Sequence, residues 1–145
     1  MSQESGGSSS LPDGVDPRSP FALVGGEAKV HEIARRVYEI MARDEPALAR
    51  LHPCDAEGRV SQESQDRFAL FLVGWLGGPQ TYMERHGHPR LRMRHGRVAV
   101  NVAMRDAWMR SMRAALDACE VTGDVRTFLD AKLADLADFL RNTPG

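Results

Sequence analysis

The sequence predicts an all-α fold. Four separate stretches carry apolar residues at the three-and-four spacing of one helical face, and nothing resembles the alternating pattern of a strand. Glycine and proline punctuate the chain between those stretches. With 145 residues the chain is one domain, long enough to bury a core without disulfide staples.

The N-terminal tract MSQESGGSSSLPDGVDP is rich in Ser, Gly and Pro and has almost nothing apolar to bury. Residues 1–18 therefore read as a flexible extension and residues 19–145 as the domain. In SPFALVGG, Phe21, Leu23 and Val24 can pack, and Gly25-Gly26 interrupts a helix at that point. A helix follows, with Val30, Ile33, Ala34, Val37, Ile40 and Met41 on one face and Tyr38 beside it. Pro46 restricts the chain after it, and Leu48, Leu51, His52 and Pro53 form a short turn region.

The next helix shows Phe68, Phe71, Leu72 and Trp75 at i, i+3, i+4 and i+7, with Ser61 or Ser64 as its cap. Gly77-Gly78-Pro79 ends it, since glycine accepts a positive φ and proline lacks an amide donor. A short helix around Tyr82 leads through Gly87-His88-Pro89 to LRMRH and Gly96. From Asn101, a possible cap, a long helix runs to Ala118 with Trp108, Met112, Ala115 and Leu116 on one face. A last helix after Thr122-Gly123-Asp124 presents Val125, Phe128, Leu129, Leu133, Leu136 and Leu140.

Nineteen basic against twenty acidic residues leave a net charge of -1. Against that background, five arginines and three histidines crowd the thirteen residues from Arg85 to Arg97, without one lysine. Planar guanidinium forks suit carboxylate and phosphate, so this run is fitted to an anion, either nucleic acid or a cofactor with acidic groups. The near-neutral total disfavours nucleic acid, whose binding domains carry a surplus of positive charge. Cys54 and Cys119 have no CxxC spacing and read as reduced thiols of a cytoplasmic protein, structural or incidental. No apolar run reaches the roughly 18 residues of a membrane span, and no signal peptide opens the chain.

Five pieces in order carry a family resemblance: SPFALVGGEAKV, RRVYEIM, FLVGWLGGPQTYMERHGHPRLRMRH, MRDAW and the closing helix. From about Ser19 to Leu140 the chain resembles a group II truncated haemoglobin. The resemblance implies a two-over-two helical sandwich around haem b, an iron cofactor ligated by one proximal histidine. His95, closing LRMRH, matches that ligand, and a neutral imidazole suits iron. Standing alone, a histidine in such a loop would be taken for a solvated one, which is the reading kept for His31, His86 and His88. Near the haem the resemblance also places Phe68, Phe71, Leu72 and Trp75 as an apolar wall, with Leu91 from LRMRH. Arg90, Arg92 or Tyr82 would meet the propionates.

On the other side of the iron the resemblance assigns Tyr38, Trp108 and His52, hydrogen-bonding groups for a ligand that gains negative charge. His52 stands where the family often has tyrosine or phenylalanine, and Ser64 where many globins have a distal histidine or glutamine. Two further departures are GRVAVNVA after His95 and Met104, where RDAW is normally preceded by glutamate. The implied function is reversible binding of oxygen and other diatomic ligands. The alternative is a haem enzyme at the same site, turning nitric oxide into nitrate or reducing peroxide. Turnover would need a separate reductase, because no flavin- or nicotinamide-binding pattern is present. Monomer and homodimer both remain open.

Overall fold

The computed structural model describes residues 11–90 and 100–141. Seven helices lie within them: α1 (Pro20–Val24), α2 (Glu27–Asp44), α3 (Pro46–Ala49), α4 (Gln62–Trp75), α5 (Thr81–His86), α6 (Val102–Ala118) and α7 (Gly123–Leu140). No strand occurs among the described residues, whose extended pairing is limited to an isolated bridge between Cys54 and Val60. Leu91, Arg92 and His95, named above as haem contacts, lie outside the described residues.

Local chemistry sets the helix ends. Ser19 caps α1 by accepting the Ala22 N–H at 3.2 Å, and Pro20 occupies its first turn. Gly25 and Gly26 then take positive φ values of 126° and 86°, which separates α1 from α2. Pro46 forbids a helical Glu45, so α2 stops at Asp44 and a single turn, α3, restarts with the proline at its first position. Ser61, of the two serines considered, caps α4 through the Ser64 N–H, and Asn101 caps α6 through the Met104 N–H.

The end of α4 is a Schellman motif: Gly77, at φ 98°, donates to the Gly74 carbonyl and Gly78 to that of Val73. The Gln80 side chain donates back to the carbonyls of Gly74 and Gly78, both at 3.0 Å, and so fastens the start of α5 beneath α4.

Helix α2 packs against both α4 and α6, and α6 packs against α7, giving the expected two pairs of helices, one laid over the other. Val30, Val37 and Met41 of α2 are fully buried, as are Met112, Ala115 and Leu116 of α6. The aromatic face of α4 divides. Leu72 enters this core beside Ala69 and Val73, whereas Phe68, Phe71 and Trp75 remain partly exposed at its edge. Leu11 and Val15, ahead of α1, also pack on the core.

Candidate functional site

Between these helices lies a cavity of about 330 Å³. Tyr38 reaches it from α2, Leu48 from α3, and Leu51 and His52 from the turn after α3. Helix α4 contributes Ser64, Arg67, Phe68 and Phe71, and α5 contributes Tyr82. Val100, with Met104, Arg105 and Trp108 of α6, forms another side, and Leu136, Ala137 and Leu140 of α7 complete the wall.

Tyr38 is 7% exposed. Its ring stands edge-on to His52, with centroids 5.5 Å apart at 78°, and edge-on to Phe68 at 5.4 Å and 75°. Burial pushes its phenol well above the usual tyrosine range, so the hydroxyl stays protonated and available to donate. Among the described residues, neither this hydroxyl nor the Trp108 indole N–H is engaged in a hydrogen bond. Both donors open on the cavity wall, where they are available to a ligand with an acceptor atom. Tyr82, 5% exposed, packs edge-on to Phe71 at 6.1 Å.

Of the residues named from the sequence, Tyr38, His52, Phe68, Phe71, Tyr82 and Trp108 thus converge on one cavity. Leu72, Trp75 and Arg90 do not reach its wall. Leu72 points into the core, and Trp75 stacks on Phe71 at 6.3 Å but borders a separate groove with Pro20 and Phe128. Arg90 is exposed at a positive φ of 47°, its N–H donating to Nδ1 of His88.

Two cations on the wall escaped the sequence reading. Arg67 pairs only loosely with Glu63, at 3.8 Å. Arg105 donates to Asp106 Oδ1 at 2.8 Å, and its Nε lies 2.9 Å from Asp138 Oδ1 without the alignment of a hydrogen bond. A signal for Arg67 existed, because Ser64, Arg67, Phe68 and Phe71 follow i, i+3, i+4, i+7 as faithfully as the set ending at Trp75. Met104, which stands where the family resemblance has glutamate, is an apolar part of this wall.

An all-helical domain whose apolar cavity combines unspent donors with arginines is a small helical ligand-binding protein. Comparison with known proteins says which kind. The family model for bacterial-like globins matches residues 19–142. The group 2 truncated hemoglobin YjbI of Bacillus subtilis is 33% identical over 115 residues, 79% of this chain and 82% of that protein. The group II truncated hemoglobin of Bacillus anthracis superposes with a TM-score of 0.81 at 32% identity, covering 90% of this chain and 95% of the other. A cold-adapted truncated hemoglobin from Pseudoalteromonas haloplanktis TAC125 gives 0.78 at 37% identity over 87% and 99%. The chain belongs to the bacterial-like globin family, as a group II truncated haemoglobin. Membership implies haem binding and a gaseous ligand.

Proposed function

We propose that the cavity holds haem b and that the protein reversibly binds oxygen and other diatomic molecules there. The observation that carries the reading is the convergence of two unspent donors, Tyr38 and Trp108, on one largely apolar cavity. A porphyrin needs apolar walls and its two carboxylates need cations, and this cavity offers both. Phe68, Phe71, Leu136 and Leu140 supply the first, and Arg67 and Arg105 the second. Its volume falls within the range of about 300–1,000 Å³ usual for small-molecule sites.

When bound, haem would supply an iron able to take a diatomic ligand. His95 would hold the iron, on the strength of the LRMRH motif and the family. Arg67, Arg105 and the Tyr82 hydroxyl are proposed to hold the propionates, joined by Arg92 from the basic run. Tyr38 and Trp108 donate to a ligand that carries partial negative charge, in a wall whose apolar neighbours exclude water. Visible spectra of the purified protein, oxidised, reduced, and under oxygen or carbon monoxide, test this reading. A Soret band that shifts with each gas is expected, and no Soret band after haem is supplied overturns it.

A further inference from the structure

We infer that the Glu45–Arg110 ion pair is a positioning clamp that registers α6, which carries Trp108, against the α2–α3 corner leading to His52. This rests on the cavity being the ligand site. Arg110 donates through Nε to Glu45 Oε2 at 2.7 Å and through a terminal nitrogen to Oε1 at 3.0 Å, a two-pronged contact across 65 residues of sequence. Such a fork fixes orientation as well as distance.

Most ion pairs among the described residues join positions nine or fewer apart, nearly all within one helix or turn, with Asp117–Arg126 joining the adjoining ends of α6 and α7. The exceptions are Glu45–Arg110 and Arg105–Asp138, and both involve α6. Trp108 lies between the two arginines, three residues after one and two before the other. The helix is therefore tied to α7 on one side and to the α2–α3 corner on the other.

Glu45 is well placed to be the fixed end of this contact. Its N–H closes α2 on the Met41 carbonyl at 2.8 Å, and its own carbonyl accepts from Leu48 and Ala49, both at 3.0 Å, to start α3. Its side chain is 17% exposed, against 60% for Arg110. Leu48 and His52, which follow from that joint, stand on the cavity wall with Trp108. Ion pairs with one exposed partner contribute little to global stability, so the contribution of this one is geometric. Hydrogen bonds weaken steeply with angle, and a small slide or roll of α6 changes what the Trp108 indole can offer a ligand.

The test compares wild type with Glu45→Gln, Arg110→Met, the double variant and Arg110→Lys. The ¹⁵N-indole resonances are recorded in the haem-loaded, carbon monoxide-saturated protein and again in the haem-free chain, with Trp108→Phe to assign the signal. Each single variant is expected to displace the Trp108 resonance and leave that of Trp75 in place. The double variant should move it no further than the singles do, and Arg110→Lys should fall between. The ratio of oxygen to carbon monoxide release rates should rise about two- to thirtyfold in the singles. An unmoved Trp108 resonance, additive shifts in the double variant, or equal acceleration of both gases overturns the clamp. A chain that takes up no haem overturns the proposed function instead, and the haem-free spectra still decide on the clamp.

Discussion

Nδ1 of His52 lies 3.2 Å from the main-chain carbonyl oxygen of Leu48, one helical turn earlier. A carbonyl oxygen only accepts, so in this contact Nδ1 carries the proton. The neutral ring then presents Nε2 as an acceptor. Tyr38, edge-on to the same ring and kept protonated by burial, is the donor of the pair. Two adjacent polar groups on one wall therefore hold different roles, set by a backbone atom that neither sequence spacing nor family resemblance could supply.

On the proposed function, replacing Tyr38 or Trp108 by phenylalanine would remove one hydrogen bond to a partly charged ligand, worth roughly 1.5–3 kcal/mol. Oxygen release should quicken about ten- to a hundredfold, and carbon monoxide release much less. Stopped-flow release rates for the two gases measure this, and equal changes would point to sterics. Because the Tyr38 hydroxyl has no partner among the described residues, Tyr38→Phe should also leave the haem-free protein at least as stable in thermal unfolding.

His95→Gly should lose tight haem retention and regain it in part when free imidazole is added. His86 and His88 are exposed, the first packed on Tyr82 at 5.0 Å and the second accepting the Arg90 N–H. Their alanine variants should keep the haem spectrum. Loss of the spectrum in either one, with retention in the His95 variant, would move the iron ligand.

Much of the fold was legible because its determinants are local. The α2 stripe from Val30 to Met41, the Asn101 cap and the Gly77-Gly78 exit all follow from residues within one or two turns of each other. The lining of the candidate site was legible where a side chain is chemically distinctive, as with Tyr38 and Trp108. It was not legible where two sets of residues on α4 share helical spacing. Phe68 and Phe71 belong to both sets, and only the neighbouring helices decide that Arg67 faces the cavity while Leu72 faces the core. Nor could the pairing of Glu45 with Arg110 be read from residues so far apart.

Gly78 meets the Phe21 ring so closely that a methyl group on it would lie 2.6 Å from a ring carbon. Phe21 is 1% exposed, and its N–H is bonded to the Leu76 carbonyl at 2.9 Å, so the ring has little room to retreat. Gly78→Ala should cost about 1–3 kcal/mol in urea unfolding through overpacking. Adding Phe21→Leu to that variant should restore part of the loss, and no restoration would mean the strain lies elsewhere.

The turn after His52 is knotted by Asp55, which accepts N–H bonds from Glu57 and Arg59 and the Arg59 Nε, at 2.9–3.0 Å. These contacts, the Arg59 backbone N–H first, hold its carboxyl below the ordinary aspartate range. A depressed folded value means the stabilisation is present above the unfolded value of about 3.9 and is lost as pH falls through the folded one. Asp55→Asn should therefore be less stable than wild type at neutral pH, with the difference vanishing in acid. Urea midpoints at both ends of that range check it, and a constant difference would deny the carboxylate its part.

His52 stands where the sequence resemblance expects tyrosine or phenylalanine, and its Leu48 contact gives that difference a direction. With Nδ1–H committed to the carbonyl, protonation adds its hydrogen at Nε2 and converts an acceptor into a donor. Imidazoles ordinarily change charge between about pH 5 and 8, whereas the phenol of Tyr38 is held protonated throughout. The donor so gained acts on a ligand with partial negative charge and hardly at all on carbon monoxide. Oxygen release should consequently slow as the medium becomes more acid, along a single titration, while carbon monoxide release stays nearly flat. His52→Phe should abolish the pH dependence and leave a rate close to that of the wild type at its alkaline limit. Release rates of both gases across the weakly acid to weakly basic range decide this. Identical profiles for the two proteins would leave His52 as no more than the residue that closes the turn after α3.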